Sequence, residues 1–427
     1  MSKAVSVCVV GAGSSYTPEL VEGLLQQDQA LLPVRELRLT DINSERLATM
    51  TGFTQRAVRH AGRQVAVASD THLAPMLEGA DFVITQIRVG GMKARHLDES
   101  IPLKYGIIGQ ETTGPGGMFK ALRTIPPMLE IGNAVAAVAP NAFILNYANP
   151  SGIVAEAVSK HTKAKIIGLC SGIPSMIQHL KERFSPQYPD PRVYTIGLNH
   201  FGHIHRVLSG DRDVTAEIMD ALADEQERRM RERGVAHPQS IIRLLGAYPI
   251  GYVGYFYHRG RMVAEAKAKP KTRAQEIESI EQEILAEAAR PETVQKPEAL
   301  ARRGGGGYAG ITFAVMKAIL NDTGEELTCN VPNRGAVEGV DDDAVVEVVC
   351  RVDRNGAHPL PVGSIPIAFR GVMLALKAYE TLTVEAAVKR DKRLAALALL
   401  NHPLCGDLDV IEPMLDEMLA AHGLDFA

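Results

Sequence analysis

Six polar side chains stand where apolar runs of this chain end. They are Arg88 and Arg95 in QIRVGGMKAR, Asn149 in NYANPSG, Cys170 in GLCSG, and Asn199 and His200 in GLNHFGH. If the runs are parallel strands of one sheet, their carboxyl ends share an edge, and ligands bind outside that edge. Cys170 and His200 together offer a thiolate and an imidazole. That is half a coordination sphere for a divalent cation, with positions left for substrate oxygens. Taken singly, a cysteine is at home in a core, and a histidine needs only one hydrogen bond. The joint placement is what points to chemistry.

A second group lies at the start of the chain. VVGAGSSYT follows the apolar run 4–10 and opens a stretch with helical spacing at 17–27. Gly11 permits a tight turn, and Gly13 lets a pyrophosphate approach the backbone. Ser14, Ser15 and Thr17 stand where the free N–H groups of the helix start gather. Tyr16 takes the place of the usual third glycine. Asp41 ends the next strand, 36–40, where a carboxylate suits both ribose hydroxyls and repels a 2′-phosphate. The pattern predicts NAD binding rather than NADP. The stretch 101–126, rich in Gly and Thr, reads as a long loop. Such a loop is costly unless it binds something, which singles out Gln110 and Glu111.

The elements that must position these groups alternate. Strands are expected at 4–10, 36–40, 81–87, 142–146, 165–169 and 193–198, with helices between them, notably 123–138 and 152–160. That alternation predicts an α/β fold on a parallel sheet with right-handed crossovers. After about residue 210 the pattern becomes mixed. Charged helices are expected at 220–234 and 272–290, a tight glycine turn at 302–308, an alternating strand at 344–352, and helices from 365 onward. We therefore divide the chain into a Rossmann-like nucleotide domain, 1–192, and a mixed α+β substrate and metal domain, 193–427. The 427 residues carry a net charge of −4, which argues against a nucleic-acid or membrane surface. No apolar stretch reaches the ~20 residues that span a bilayer. The five cysteines are scattered, which predicts reduced thiols and a cytoplasmic setting.

Longer motifs carry a resemblance. GAGSSYTPELVEGL, TQIRVGG, GQETTGPGG with ALRTIP, NYANPSG and GLNH occur in order. YPIGYVGYFY, TRAQEIESIEQEI, KPEALARRGG and NVPNRGAVEG follow. Together they resemble the NAD- and divalent-metal-dependent glycoside hydrolases of family four, nearest the 6-phospho-β-glucosidase branch, over essentially the whole chain. This group departs from two-carboxylate glycosidase chemistry.

The resemblance implies the lactate/malate dehydrogenase architecture. It also implies a reaction in which hydride leaves C3 of the sugar, C2 is deprotonated, the aglycone is eliminated, water adds, and hydride returns. It assigns Cys170 and His200 to a metal ion, usually Mn²⁺, and Tyr252 to the C2 base. Arg95 and Arg273 fall at phosphate-binding positions, and Asn149 lies near substrate and nicotinamide. The implied substrate is a small phosphorylated glycoside or disaccharide, and the implied assembly is a homodimer or homotetramer. Ser171 departs from the pattern, because relatives carry an acid or asparagine there, and serine is a poor general acid. His203 and His205 titrate near neutrality and are alternative proton donors, although each reads better as a residue behind the site or at the surface. An unphosphorylated hexoside or uronide stays open as substrate. So does a plain NAD-dependent sugar or hydroxy-acid dehydrogenase.

Overall fold

The computed structural model describes residues 4–235, 238–304 and 306–427. Strands β1 (Val5–Val10), β2 (Val34–Thr40), β3 (Ala66–Asp70), β4 (Phe82–Thr85), β5 (Phe143–Asn146) and β6 (Lys165–Gly168) are parallel. All six residues of β1, VSVCVV, are buried. A strand covered by helices on both faces has no reason to alternate, which is why these runs are continuously apolar. The strands are ordered 3-2-1-4-5-6, the Rossmann order, with its switch point between β1 and β4.

Strand β7 (Arg192–Leu198) departs from expectation. It does not continue the parallel series but pairs antiparallel with β8 (Phe201–Ser209) in a second sheet, which β9 (Arg212–Asp213) and β10 (Tyr248–Pro249) complete. Only two residues, Asn199 and His200, connect β7 to β8, too few for a parallel crossover. Next come β11 (Glu325–Pro332), β12 (Val337–Glu338), β13 (Val345–Asp353), β14 (Gly356–Pro359) and β15 (Gly363–Ser364). Strands β12 and β15 form a small pair. Strands β11, β13 and β14 join the first sheet beyond β6, antiparallel, to give nine strands. The large sheet therefore draws on the chain from both sides of residue 192.

The stretch 101–126 is mostly helix, contrary to the loop expected. Helices Gly91–Lys104 and Gly114–Val138 leave only residues 105–113 between them. Its glycines serve close packing. A Cβ on Gly116 would lie 2.4 Å from the Gln110 carbonyl oxygen, and one on Gly117 2.5 Å from the Thr112 carbonyl carbon. His402 and Tyr379 brace the helix start from the C-terminal part of the chain. The Gly114 N–H donates to His402 Nε2, and Tyr379 donates to the Gly114 carbonyl. Among the described residues all five cysteines are free thiols, and no helix is long and apolar enough to cross a membrane.

Candidate active site

A cleft of about 1450 Å³ opens at the carboxyl ends of the parallel strands. At one end lies the glycine turn. Gly11 has φ +86°, and a Cβ there would lie 2.9 Å from the Ile87 nitrogen, so the position needs glycine. The Gly13 N–H donates to Asp41 Oδ2 at 2.9 Å, and Arg46 Nε donates to the Gly13 carbonyl at 2.8 Å. Gly11, Gly13, Ser14, Asp41, Arg88 and Asn149 all line the cleft. Ser15 and Thr17, expected at the cofactor, turn their hydroxyls inward. Ser15 Oγ donates to Glu281, and Thr17 Oγ1 donates to the Ala12 carbonyl, so both brace the turn from behind. Tyr16, in the third-glycine position, donates to the Gly304 carbonyl, and the Arg303 guanidinium sits 3.9 Å from its ring centre. Glu19 accepts from the N–H groups of Gly307 and Tyr308. The glycine break thus docks onto the nucleotide turn.

The candidate metal ligands lie further in. The Asn199–His200 turn places His200 at φ +66°, a left-handed region that costs a non-glycine residue on the order of 1–3 kcal/mol. Its ring lies 4.4 Å from that of Tyr252, and both line the cleft. Burial, followed by the charge of Lys120, pushes the His200 pKa down to about 4, so the imidazole is neutral at pH 7. Its Nδ1 is buried without a hydrogen-bond partner. Cys170 is buried just off the cleft surface, its sulfur accepting from the Gly172 N–H at 3.5 Å. Burial, reinforced by Glu347, pushes this thiol up to about 12, so a cation is needed to hold it as thiolate. An orphaned imidazole nitrogen and a buried thiol are both groups that a divalent cation would satisfy. Among the described residues no group of three or more His, Cys, Asp or Glu could hold a metal, so further ligands must come from elsewhere.

The aromatic side chains of residues 252–257 face different ways. Tyr252 and Tyr255 face the cleft, Phe256 packs edge-on against Phe201 in the core, and Tyr257 is partly exposed. Burial holds the Tyr252 phenol above its ordinary value. The charges of Cys170 and Glu111 push the same way, and Arg95 opposes them.

Glu111 gathers the cations of the cleft. Its carboxylate lies 2.6 Å from Arg88, 2.8 Å from Lys120 and 3.1 Å from Arg95. Burial works against its charge, but Arg88, Lys120 and Arg95 overcome it and hold the pKa well below the usual carboxylate range. Burial and the repulsion of Arg88 push Lys120 down to about 7. Arg95 also pairs with Glu99 at 2.7 Å, and the second Glu99 oxygen accepts from the Ala274 N–H. Arg273 opens the helix Arg273–Ala289, which the Thr272–Gln275 capping box starts. It also lines the cleft, pairing with Glu276.

Asn199, expected at substrate, is buried off the cleft. Its Oδ1 accepts from the Ser151 N–H at 3.0 Å, and its amide faces Glu347. His203 and His205 do not line the cleft either; His203 is fully buried, stacked on Phe369 at 4.0 Å. The sequence reading missed Lys120, Tyr255 and Glu281. Lys120 lies in the first turns of a helix read as starting at Arg123, and GPGG just before it hid the helical periodicity.

Comparisons with known proteins bear on the family and the fold. The model of the family 4 glycosyl hydrolases matches residues 6–185, and that of the family's C-terminal domain matches 195–405. A probable 6-phospho-beta-glucosidase of Bacillus subtilis is 36% identical over 99% of this chain and 97% of its own. A phospho-alpha-glucosidase of Clostridium acetobutylicum is 31% identical over 98% of each. The solved 6-phospho-beta-glucosidase of Thermotoga maritima, with manganese, NAD⁺ and glucose-6-phosphate, superposes with a TM-score of 0.89. It is 33% identical and covers 99% of this chain and 100% of its own. A malate dehydrogenase of Plasmodium falciparum, 12% identical, covers 90% of this chain and 100% of its own with a TM-score of 0.53, and shares the fold alone. Two family models that together match residues 6–185 and 195–405, and a relative 36% identical over nearly the whole of both chains, leave one assignment: the chain belongs to the family 4 glycosyl hydrolases.

Proposed function

We propose that this protein hydrolyses 6-phospho-β-glucosides with NAD and a divalent cation, Mn²⁺ for preference. The observation that carries the reading is the Tyr252 ring against His200, 4.4 Å away, in a cleft that also holds the glycine turn, buried Arg95 and exposed Arg273. When bound, NAD would supply a hydride acceptor and the cation a Lewis acid.

The chain's own groups do the rest. Gly11, Gly13 and Ser14 hold the pyrophosphate at the start of the helix Thr17–Leu25, and Asp41 accepts from the ribose hydroxyls. Cys170 and His200 hold the cation, and Asn149 orients the sugar. Arg95 and Arg273 grip the 6-phosphate through planar forks, and Glu111 fixes the angle of Arg95. The Tyr252 phenolate removes the C2 proton. Its raised pKa in the bare site means that it ionises only when positive charge is brought beside it. Ser171, a residue of negligible acidity, supports a β- rather than an α-type leaving-group step. We place the enzyme in the cytoplasm, where NAD and phosphorylated sugars are found, as an even homo-oligomer. The nucleotide half is 1–192 and the substrate half 193–427.

The test is release of 4-nitrophenol from the 6-phospho-β-glucoside with NAD, Mn²⁺ and reductant. We expect release that needs all three, with no net NADH. Release from the free glucoside and none from the phosphorylated one would overturn the phosphate reading. Stoichiometric NADH would overturn the hydrolase in favour of a dehydrogenase.

A further inference from the structure

Behind the cleft lies a buried polar box to which the proposed reaction assigns nothing. Glu347 on β13, one strand in from the edge of the extended sheet, is 2% exposed. One of its oxygens, Oε1, accepts from Asn330 Nδ2 at 2.9 Å and from Asn199 Nδ2 at 3.5 Å. The other, Oε2, has no partner, and neither has Asn330 Oδ1. Asn199 spends its carbonyl oxygen on the Ser151 N–H, and Asn330 Nδ2 also reaches the Gly168 carbonyl at 3.4 Å. Glu347 therefore ties together three chain segments: the turn that carries His200, the end of β6 two residues before Cys170, and the helix start that follows Asn149.

Glycines make room for it. A Cβ on Gly202 would lie 3.3 Å from Glu347 Oε2, one on Gly168 2.8 Å from Asn330 Cβ, and one on Gly152 3.0 Å from Asn199 Cβ. A buried carboxylate with a free oxygen costs stability that an apolar side chain would not. Its retention calls for a use. The His200 turn lies in an unfavourable backbone region, and Asn199 just before it is held from two sides, by the Ser151 N–H at 3.0 Å and by Glu347 at 3.5 Å.

We propose that Glu347 is a positioning residue for the cation site, holding Asn199, and through it His200, in register with Cys170. This rests on the reading that Cys170 and His200 hold a divalent cation. Glu347→Gln keeps an oxygen within reach of both asparagines but loses the charge. Glu347→Asp keeps the charge but falls short of Asn199. Mn²⁺ affinity is measured directly on the full chain, by the electron paramagnetic resonance of free Mn²⁺, and NAD affinity by calorimetry.

We expect Glu347→Asp to weaken Mn²⁺ binding roughly 10–100-fold, the scale of other outer contacts to metal ligands. Glu347→Gln should stay within about 3-fold of the parent on the same scale, and NAD affinity should be unchanged in both. Wild-type Mn²⁺ affinity in Glu347→Asp overturns the proposal. So does the reverse order, which would make the charge the active property, and so does a parallel loss of NAD affinity, which would make the role one of general folding. A parent protein that binds no Mn²⁺ overturns the cation reading itself.

Discussion

Glu111→Gln removes the one negative charge that three cations share, with almost no change of shape. The structure sets the size of the effect. Removing one partner of a buried ion pair costs about 3–5 kcal/mol. Here Arg95 keeps Glu99 at 2.7 Å, and Lys120, already down to about 7, can release its proton. Arg88 has no other ion-pair partner among the described residues. One stranded charge puts the loss near the low end, at about 3 kcal/mol, or roughly 3 °C in melting temperature for a chain of this size.

The pH dependence has a definite sign. The folded-state pKa of Glu111 is depressed, so its contribution is complete above the ordinary carboxylate range and disappears as pH falls through the folded value. Lys120 is also depressed. As pH rises past about 7 it becomes neutral in the folded chain, and Glu111 then has two cations to hold instead of three. The deficit of the variant should therefore be greatest near pH ~6 and smaller both in acid and near pH ~9. Thermal melts followed by circular dichroism at these pH values provide the measurement. A melting temperature within about 1 °C of the parent at pH ~6, or a deficit that ignores pH, would refute the reasoning.

Other outcomes follow from single contacts. Tyr252→Phe should lower kcat by at least ~10²–10⁴-fold while leaving NAD and Mn²⁺ affinities alone. The parent in D₂O should place deuterium at C2 of the product, and this variant should place none, as read by NMR. Gly13→Ala puts a methyl 2.9 Å from both Asp41 Oδ2 and Arg46 Cβ, so calorimetry should show NAD affinity down about 10-fold or more, a loss of about 1.4 kcal/mol. Lys377→Met takes from buried Glu156 its partner at 2.7 Å, leaving it Lys160 at 3.1 Å, and takes from buried Glu380 its partner at 2.6 Å; denaturant melts should show a loss of about 3 kcal/mol. In the parent, Glu156 works against burial, yet Lys377 holds its pKa down to about 2. The stability it contributes is complete above pH ~4.3 and lost as pH falls toward the folded value, so the parent should weaken across that acid range.

The parts of the fold legible in the sequence are those where burial is two-sided. Strands β1, β4, β5 and β6 are short unbroken apolar runs, and their ends carry Gly11, Arg88, Asn149 and Cys170. Strand β3, AVASD, escaped notice because it is the sheet's edge and half exposed. Strand β7 was located but given the wrong direction, since an apolar strand has the same pattern whichever way its neighbour runs. In the site, residue types announced the cysteine, histidine and arginines. Lys120 and Glu347 stayed hidden because their importance lies in what surrounds them: a lysine in a helix and a glutamate in VVEVV look like solvated positions until the burial is known. Asn199 was picked for the right neighbourhood and the wrong face, because a two-residue turn points adjacent side chains apart.

The large sheet has a consequence for any attempt to divide the molecule. The family's two sequence models meet between residues 185 and 195, which invites cutting the chain there. Such a cut would strip β11, β13 and β14 from β6 and bare two rows of main-chain donors and acceptors at once. Neither fragment should behave as a free-standing domain. Co-expressed, the two should re-associate along that seam and recover activity together, the way a split reporter does.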